Sequence, residues 1–289
     1  MYFQFPTGNF RTPPPLLGAS SGWEASLRVE LAVLGSRTVV SRRESVGPLV
    51  IQRPFYPEGD VCHLYLVHPP GGVVGGDQVN LRVLANERTH SVITTPAATK
   101  FYRSDGRVAR QVQEIEARGA TVEWLPQETI VFPDAQACIA TRVKLTGRSR
   151  FIGWEVACYG RPASGLSFGS GRVAQDFELW VDEVPVVLDH LRLDGASEAM
   201  SAAYGLAGQP VLGTMIAYPA TEHELGVARS AIHESSATTV AASRVDGVLV
   251  CRAVASQADA VRRAFTAIWR SIRPTVAGRE AVAPRIWAT

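Results

Sequence analysis

Ten residues, His68-Pro69-Pro70-Gly71-Gly72-Val73-Val74-Gly75-Gly76-Asp77, set four glycines between an imidazole and a carboxylate. Glycine reaches backbone conformations closed to other residues. The segment can therefore close into a tight turn with Asp77 accepting from backbone N–H groups, or it can turn His68 and Asp77 toward a polar cavity. Cys62 and His63 lie just upstream, which gathers nitrogen, sulfur and oxygen donors in one stretch. Their spacing fits no closed zinc pattern. The glycines match neither a phosphate loop ending in Gly-Lys-Ser/Thr nor a dinucleotide fingerprint.

A second dense segment, Thr94 to Ser104, is rich in hydroxyls and carries the cations Lys100 and Arg103 beside Thr99. A nucleophilic Ser or Thr needs a base within hydrogen-bond reach, and no G-x-S-x-G elbow is present. Hydroxyls that satisfy a strand-end loop are the simpler reading. Glu123 and Glu128, five apart in Glu123-Trp124-Leu125-Pro126-Gln127-Glu128, have the residue types of paired-carboxylate hydrolysis, although nothing in the sequence fixes their separation, while Trp124 reads as core. The acidic positions Glu155, Asp182, Glu183 and Asp189 alternate with apolar residues, as exposed strand faces do.

These groups must be positioned by a chain of 289 residues that is 46% hydrophobic but only 19% charged, with 25 Gly and 18 Pro. Such a composition excludes disorder and coiled coil. A net charge of +2 without a basic segment argues against nucleic acid, and the charge depletion points to surfaces covered by partners. Four cysteines, Cys62, Cys138, Cys158 and Cys251, form no CxxC pair, and no basic n-region precedes an apolar stretch. Both features suit a reduced, cytoplasmic protein. Ala199 to Thr221 is uncharged and long enough to span a bilayer, but Pro210, Pro219, Gln209 and three glycines interrupt it. A buried crossing between two parts of the protein is expected there, and no membrane contact.

Residues 1–21, with Pro13-Pro14-Pro15, have no sustained period and are expected to form a flexible N-terminal arm. From Leu27 a period of two begins. Strand-like runs follow at Leu49 to Gln52, Val61 to Val67, Val79 to Leu84, Ser91 to Thr94, Thr121 to Leu125, Ile139 to Leu145, Phe151 to Cys158, Phe177 to Val181 and Val184 to Leu193. This is the grammar of a sandwich, barrel or solenoid over residues 22–205. Residues 206–289 read as an α+β part packed on the β region. Thr221 with Glu224 forms a capping-box signal, and Ser256 with Asp259 offers a second helix start. In that second helix Val261, Ala264, Phe265, Ile268, Trp269 and Ile272 make one apolar stripe, which Pro274 is expected to stop. Gly247 to Val254 reads as a strand between the two helices.

The glycine-rich segment, Thr95-Pro96 through Lys100-Phe101-Tyr102-Arg103-Ser104, Glu123 to Glu128 and Gly160-Arg161-Pro162 together resemble the urease accessory protein family UreD, called UreH in some organisms. Gln52-Arg53-Pro54-Phe55-Tyr56-Pro57 and the closing Pro284-Arg285-Ile286-Trp287 also fit, so the likeness runs from about Gly22 to the end. It implies a mainly β fold, a helicoid, solenoid-like stack of β-sheets with two helices near the C-terminus. It implies a non-enzymatic maturation factor that binds apo-urease, recruits UreF and the GTPase UreG, and provides a passage for nickel. No tightly bound cofactor is implied, only transient Ni²⁺. A conduit must hold its ion weakly at several places, and carboxylates and hydroxyls do so better than a His/Cys cage.

Carried over by position, Asp77, Asp189 and Glu155 become candidate passage residues, with Glu128 and His68 as further candidates and Thr99, Lys100 and Arg103 nearby. Trp287 and Arg285 in the tail Val282 to Thr289 become candidates for the UreF-facing surface. Many relatives place Glu after the Gly-Arg-x-x-x-Gly segment, whereas here Leu166 follows Gly165, so either that carboxylate is dispensable or the passage in this protein runs elsewhere. A β-rich hydrolase and a nickel-storage protein are the alternatives. Turnover by the isolated protein would mark the first, and tight stoichiometric metal binding the second.

Overall fold

Runs of period two form strands that alternate between two facing sheets, so that each residue set of one parity faces the interior. The protein was analysed as a computed structural model, which describes residues 22–233 and 238–288; the expected N-terminal arm lies outside them. In order the chain forms β1 (Glu24–Leu34), β2 (Arg37–Val46), β3 (Val50–Ile51), β4 (Cys62–Val67), β5 (Gln78–Ala85) and β6 (His90–Thr94). Then come β7 (Thr99–Phe101), β8 (Ala109–Arg118), β9 (Thr121–Trp124), β10 (Thr129–Val131), β11 (Gln136–Thr146), β12 (Arg150–Arg161) and β13 (Leu166–Ser167). They are followed by β14 (Arg172–Val181), β15 (Val184–Asp194), the short α1 (Glu198–Ser201) and β16 (Val211–Tyr218). The chain closes with α2 (Glu222–His233), β17 (Thr239–Val245), β18 (Val248–Ala255) and α3 (Ala258–Val276).

One sheet has seven strands in the order β15-β14-β11-β8-β5-β1-β2, and the other follows the path β17-β18-β16-β12-β9-β6-β4-β3, with β7, β10 and β13 attached near β12. From β4 to β14 the chain crosses from one sheet to the other and back. This lays down parallel neighbours β5-β8-β11-β14 on one side and β4-β6-β9-β12 on the other. Neither sheet closes on itself, and the stacked, coil-like architecture is the one expected. Register places Val29, Val83, Ile115, Val143 and Leu179 in one row across the seven-stranded sheet, all at most 1% exposed. Each such side chain contributes roughly 1.5–3 kcal/mol by leaving water.

The four segments that carry the family resemblance are successive corners of this coil. Each joins a strand of the larger sheet to the next strand of the smaller one. Backbone hydrogen bonds stack them: Gly76 N–H donates to Val108 O at 3.2 Å, Ser104 N–H to Asp134 O at 3.0 Å, and Asp134 N–H to Ser170 O at 3.0 Å. Gly72 is required because a Cβ there would overlap the Tyr102 ring of the next corner, and Gly75 because a Cβ would strike the Ser104 side chain.

The C-terminal strands β16, β18 and β17 extend the larger sheet antiparallel, and α2 and α3 cover its outer face. The Thr221/Glu224 capping box forms, with Thr221 N–H donating to Glu224 Oε2 at 2.7 Å and His223 N–H to Thr221 Oγ1 at 3.2 Å. All six residues of the predicted α3 stripe are buried.

Three expectations are corrected. The helix starts at Ala258 behind Gln257, not at Ser256. Pro274 does not stop it. The helix runs on to Val276, where Arg150 Nη1 donates to the Val276 carbonyl at 3.0 Å and Ala277 N–H to Arg273 O at 2.8 Å, so the last turn is held from outside although Pro274 has no N–H. The uncharged stretch from Ala199 is not one buried crossing: its first half is a mostly exposed turn with Tyr204 77% exposed, and only β16 is buried.

Candidate functional site

β12 carries ten consecutive buried residues, Phe151 to Gly160. Its outer side, Ile152, Trp154, Val156 and Cys158, packs under the helices. The opposite side faces the seven-stranded sheet, and there the apolar interior is broken by Glu155. Thr141 Oγ1 of β11 donates to Glu155 Oε1, and Gln175 Nε2 of β14 donates to Oε2 at 3.1 Å. The Tyr159 hydroxyl donates to Gln175 Oε1 at 3.2 Å.

Register extends this polar layer in both directions. On the larger sheet Glu155 pairs with Thr214 of β16, and Thr214 with Arg252 of β18. On the smaller sheet Gln113, Thr141, Phe177 and Asp189 form one row. The layer ends where Arg252 of β18, one strand in from the edge of the larger sheet, reaches Asp189 of the edge strand β15 at 2.9 Å, with side chains 45% and 22% exposed. The larger sheet thus sets Glu155, Thr214 and Arg252 side by side in register, while on the smaller sheet the buried Phe177 stands between Thr141 and Asp189. Burial pushes the Glu155 carboxyl from 4.5 up to about 7, against the hydrogen bonds from Thr141 and Gln175 and with the help of the Asp189 and Asp176 charges. It is a weakly neutralised acid that exchanges a proton near neutral pH, and oxygen ligands of this kind suit loose binding of a divalent cation. No group of three or more His, Cys, Asp or Glu among the described residues is arranged to hold a metal ion.

The other nominated residues lie elsewhere. Both oxygens of Asp77 accept from backbone, from Trp23 N–H at 3.2 Å and Val74 N–H at 3.0 Å. His68 leans on the Trp23 ring at 5.1 Å, and burial lowers its imidazole pKa against the opposing Asp77 charge. Thr99 and Lys100 belong to β7, between the glycine corner and the Glu128 segment: Val73 N–H donates to Lys100 O at 2.7 Å and Thr99 N–H to Glu128 O at 3.0 Å. Glu128 lies 3.6 Å from Arg262 of α3, and Arg103 is exposed. The structure thus brings Glu155 and Asp189 into one layer and leaves Asp77, His68, Thr99, Lys100, Arg103 and Glu128 among the corners.

Trp287 is docked intramolecularly, its ring 5.8 Å from those of both Trp154 and Trp269 and its N–H donating to Thr94 Oγ1 at 3.0 Å. Arg285 beside it is exposed, as is Leu166 on β13.

A second buried polar cluster escaped the sequence reading. Under α3, Glu123 accepts from His90 Nε2 at 2.7 Å, from Trp269 Nε1 at 2.6 Å and from Arg273 Nε at 3.0 Å. Arg273 also donates to Glu58 at 2.9 Å, and Glu58 meets His63 Nε2 at 2.7 Å. Burial alone would raise the Glu123 carboxyl, but the His90 and Arg273 contacts outweigh it and hold it below its usual range. Glu58, likewise opposed by burial, is held at about 2 by His63 and Arg273. These residues come from β9, β6, the loop before β4, β4 and α3, separated by up to 215 positions; Glu123 and His63 stood out singly, but no spacing announces that they converge. Gln175, Thr141 and Arg252 were missed for the same reason.

A profile of the family described as "UreD urease accessory protein" matches residues 24–288. The chain belongs to this family. It is 40% identical over 287 residues to the urease accessory protein UreD of Aliivibrio fischeri strain MJ11, covering 96% of this chain and 100% of that one. It is 39% identical over 277 residues to the UreD of Klebsiella aerogenes, covering 96% and 99%, and 41% identical over 277 residues to that of Vibrio parahaemolyticus, covering 94% and 98%. Members of this family are accessory proteins to urease, not catalysts, and this chain is one of them. No helix among the described residues is long and apolar enough to cross a membrane.

Proposed function

We propose that this chain serves urease maturation in the cytoplasm by binding apo-urease, recruiting UreF and, through UreF, the GTPase UreG, and passing Ni²⁺ toward the urease active site along the layer from Asp189 to Glu155. The observation that supports the passage is the buried Glu155 carboxyl, whose row in the larger sheet continues through Thr214 to Arg252 at its partly exposed pair with Asp189. Nickel is cargo in this reading. The oxygen-rich layer binds it loosely enough to release it, where a cage of imidazoles and thiolates would retain it.

The experiment is to reconstitute urease activation with Glu155→Gln and Asp189→Ala and to measure nickel per urease active site. Both variants are expected to assemble with urease and to deliver less nickel. Delivery at the wild-type level by both would remove the passage from this layer, and loss of assembly would make the residues structural. Tight stoichiometric Ni²⁺ binding by the isolated chain in calorimetry would favour storage instead.

A further inference from the structure

Among the described residues β15 pairs with β14 on one side and with nothing on the other, so backbone N–H and C=O groups of residues 187–194 face outward, beyond Pro185, which has no N–H, and the bulge beside it. At this end the larger sheet extends one strand beyond the smaller. Val240 and Ala242 of β17 pack into the core beneath the helices, while Thr239, Ala241, Ser243 and Val245, which point to the opposite face, are all exposed. On the adjacent β18, Val250 and Val254 join the inter-sheet core, and Arg252 reaches Asp189 of β15. β18 therefore lies over β15, and β17 overhangs the empty place beside it.

That place has the dimensions of one strand, with about 4.8 Å to the next strand axis and about 10 Å between layers. We propose that it receives a single extended segment of a protein partner, hydrogen-bonded to the free edge of β15 and roofed by β17. The edge selects an extended backbone, and the seven residues of β17 set the covered length. A second copy of this chain is the wrong shape. Joining two copies through β15 would bring each β17 over the other's β15, where the other's β18 already lies. Charge narrows the guest further: on the inner faces of β17 and β18 the one charged side chain, Arg252, is paired with Asp189. The guest accordingly presents uncharged side chains at alternate positions, apolar ones where Val184 and Val245 stand 58% and 54% exposed.

The slot adjoins the Arg252–Asp189 mouth of the proposed passage, and the inference is read without nickel so that the two readings fail separately. Hydrogen exchange is followed by mass spectrometry on the isolated chain and on the chain copurified with apo-urease and the other urease accessory proteins. In the isolated chain the outward amides of residues 187–194 are expected to exchange freely, and in the assembly to slow by about 100-fold or more. Ala241→Lys, which drives a long cation into the slot from an exposed position, is expected to weaken assembly by about tenfold or more, equivalent to about 1.4 kcal/mol, with the melting temperature unchanged. Ser243→Ala is expected to leave assembly unchanged. The proposal is overturned if the β15 amides exchange as fast in the assembly as alone, if they are already protected in the isolated chain, or if folded Ala241→Lys assembles like wild type.

Discussion

Glu123 and Glu155 are both buried carboxyls on the eleven-stranded sheet, one on each face, and their surroundings drive them apart. Glu123 meets a guanidinium, an imidazole and an indole N–H, so its charge is matched and its affinity for protons falls. Glu155 meets a hydroxyl and an amide, both neutral, with the Asp189 charge beyond them, so its affinity for protons rises. The saturated cluster ties α3 to the sheet. The unsaturated one has spare capacity for a proton or a cation. Equal burial therefore separates a fastening from a site only when the partners are counted by charge.

The largest effect is expected from Arg273→Ala. It leaves Glu58 and Glu123 buried without their shared cation, and removal of one partner from a buried pair costs about 3–5 kcal/mol. Denaturant unfolding should show a loss of this size, with α3 and Trp287 released together, because Trp287 packs on Trp269 one turn away. A loss under about 1 kcal/mol, the level of an exposed pair, would mean that the cluster fastens nothing.

The pH dependence sharpens the contrast because the two carboxyls act with opposite sign. Glu58, depressed to about 2, contributes stability that is present above its unfolded value near 4.5 and is lost as pH falls toward 2. Glu155, raised to about 7, contributes stability present below 4.5 and lost as pH rises toward 7, because the native state then holds a proton that the unfolded state has released. Over that window the loss is about 3 kcal/mol, since each tenfold difference in proton affinity between the folded and unfolded chain is worth about 1.4 kcal/mol. Glu155→Gln should flatten stability against pH between 4.5 and 7 and leave the acid limb in place. A wild-type slope in the variant would assign the titration to another group.

The strand grammar and the α3 stripe were legible because one face of each element is apolar. β8 was not, since its outward face is charged and its inward face carries Gln111 and Gln113 at the polar layer; the interruption that hid the strand is part of the candidate site. β2 was hidden by Arg42, Arg43 and Glu44 on an exposed edge. The corner motifs were conspicuous because close stacking demands glycine, and that is how Asp77 and His68 drew attention. Glu155 looked like one more acid on an alternating strand, since no local pattern records that Thr141, Gln175 and Asp189 converge on it.

The smallest effect tests the boundary between the two kinds of buried charge. Arg252 and Asp189 form an ion pair like Arg273 and Glu123, but at the edge of the layer, where water reaches both. Arg252→Gln should change stability by less than about 1 kcal/mol, because the freed carboxylate is resolvated instead of stranded. Its consequence belongs to the polar layer. With the guanidinium gone, Asp189 is available to a cation, and calorimetric titration with nickel chloride should show tighter binding than wild type, reversed in the Arg252→Gln, Asp189→Asn double variant. A large stability loss with unchanged nickel binding would place this pair with the fastenings and leave Glu155 without an electrostatic mouth.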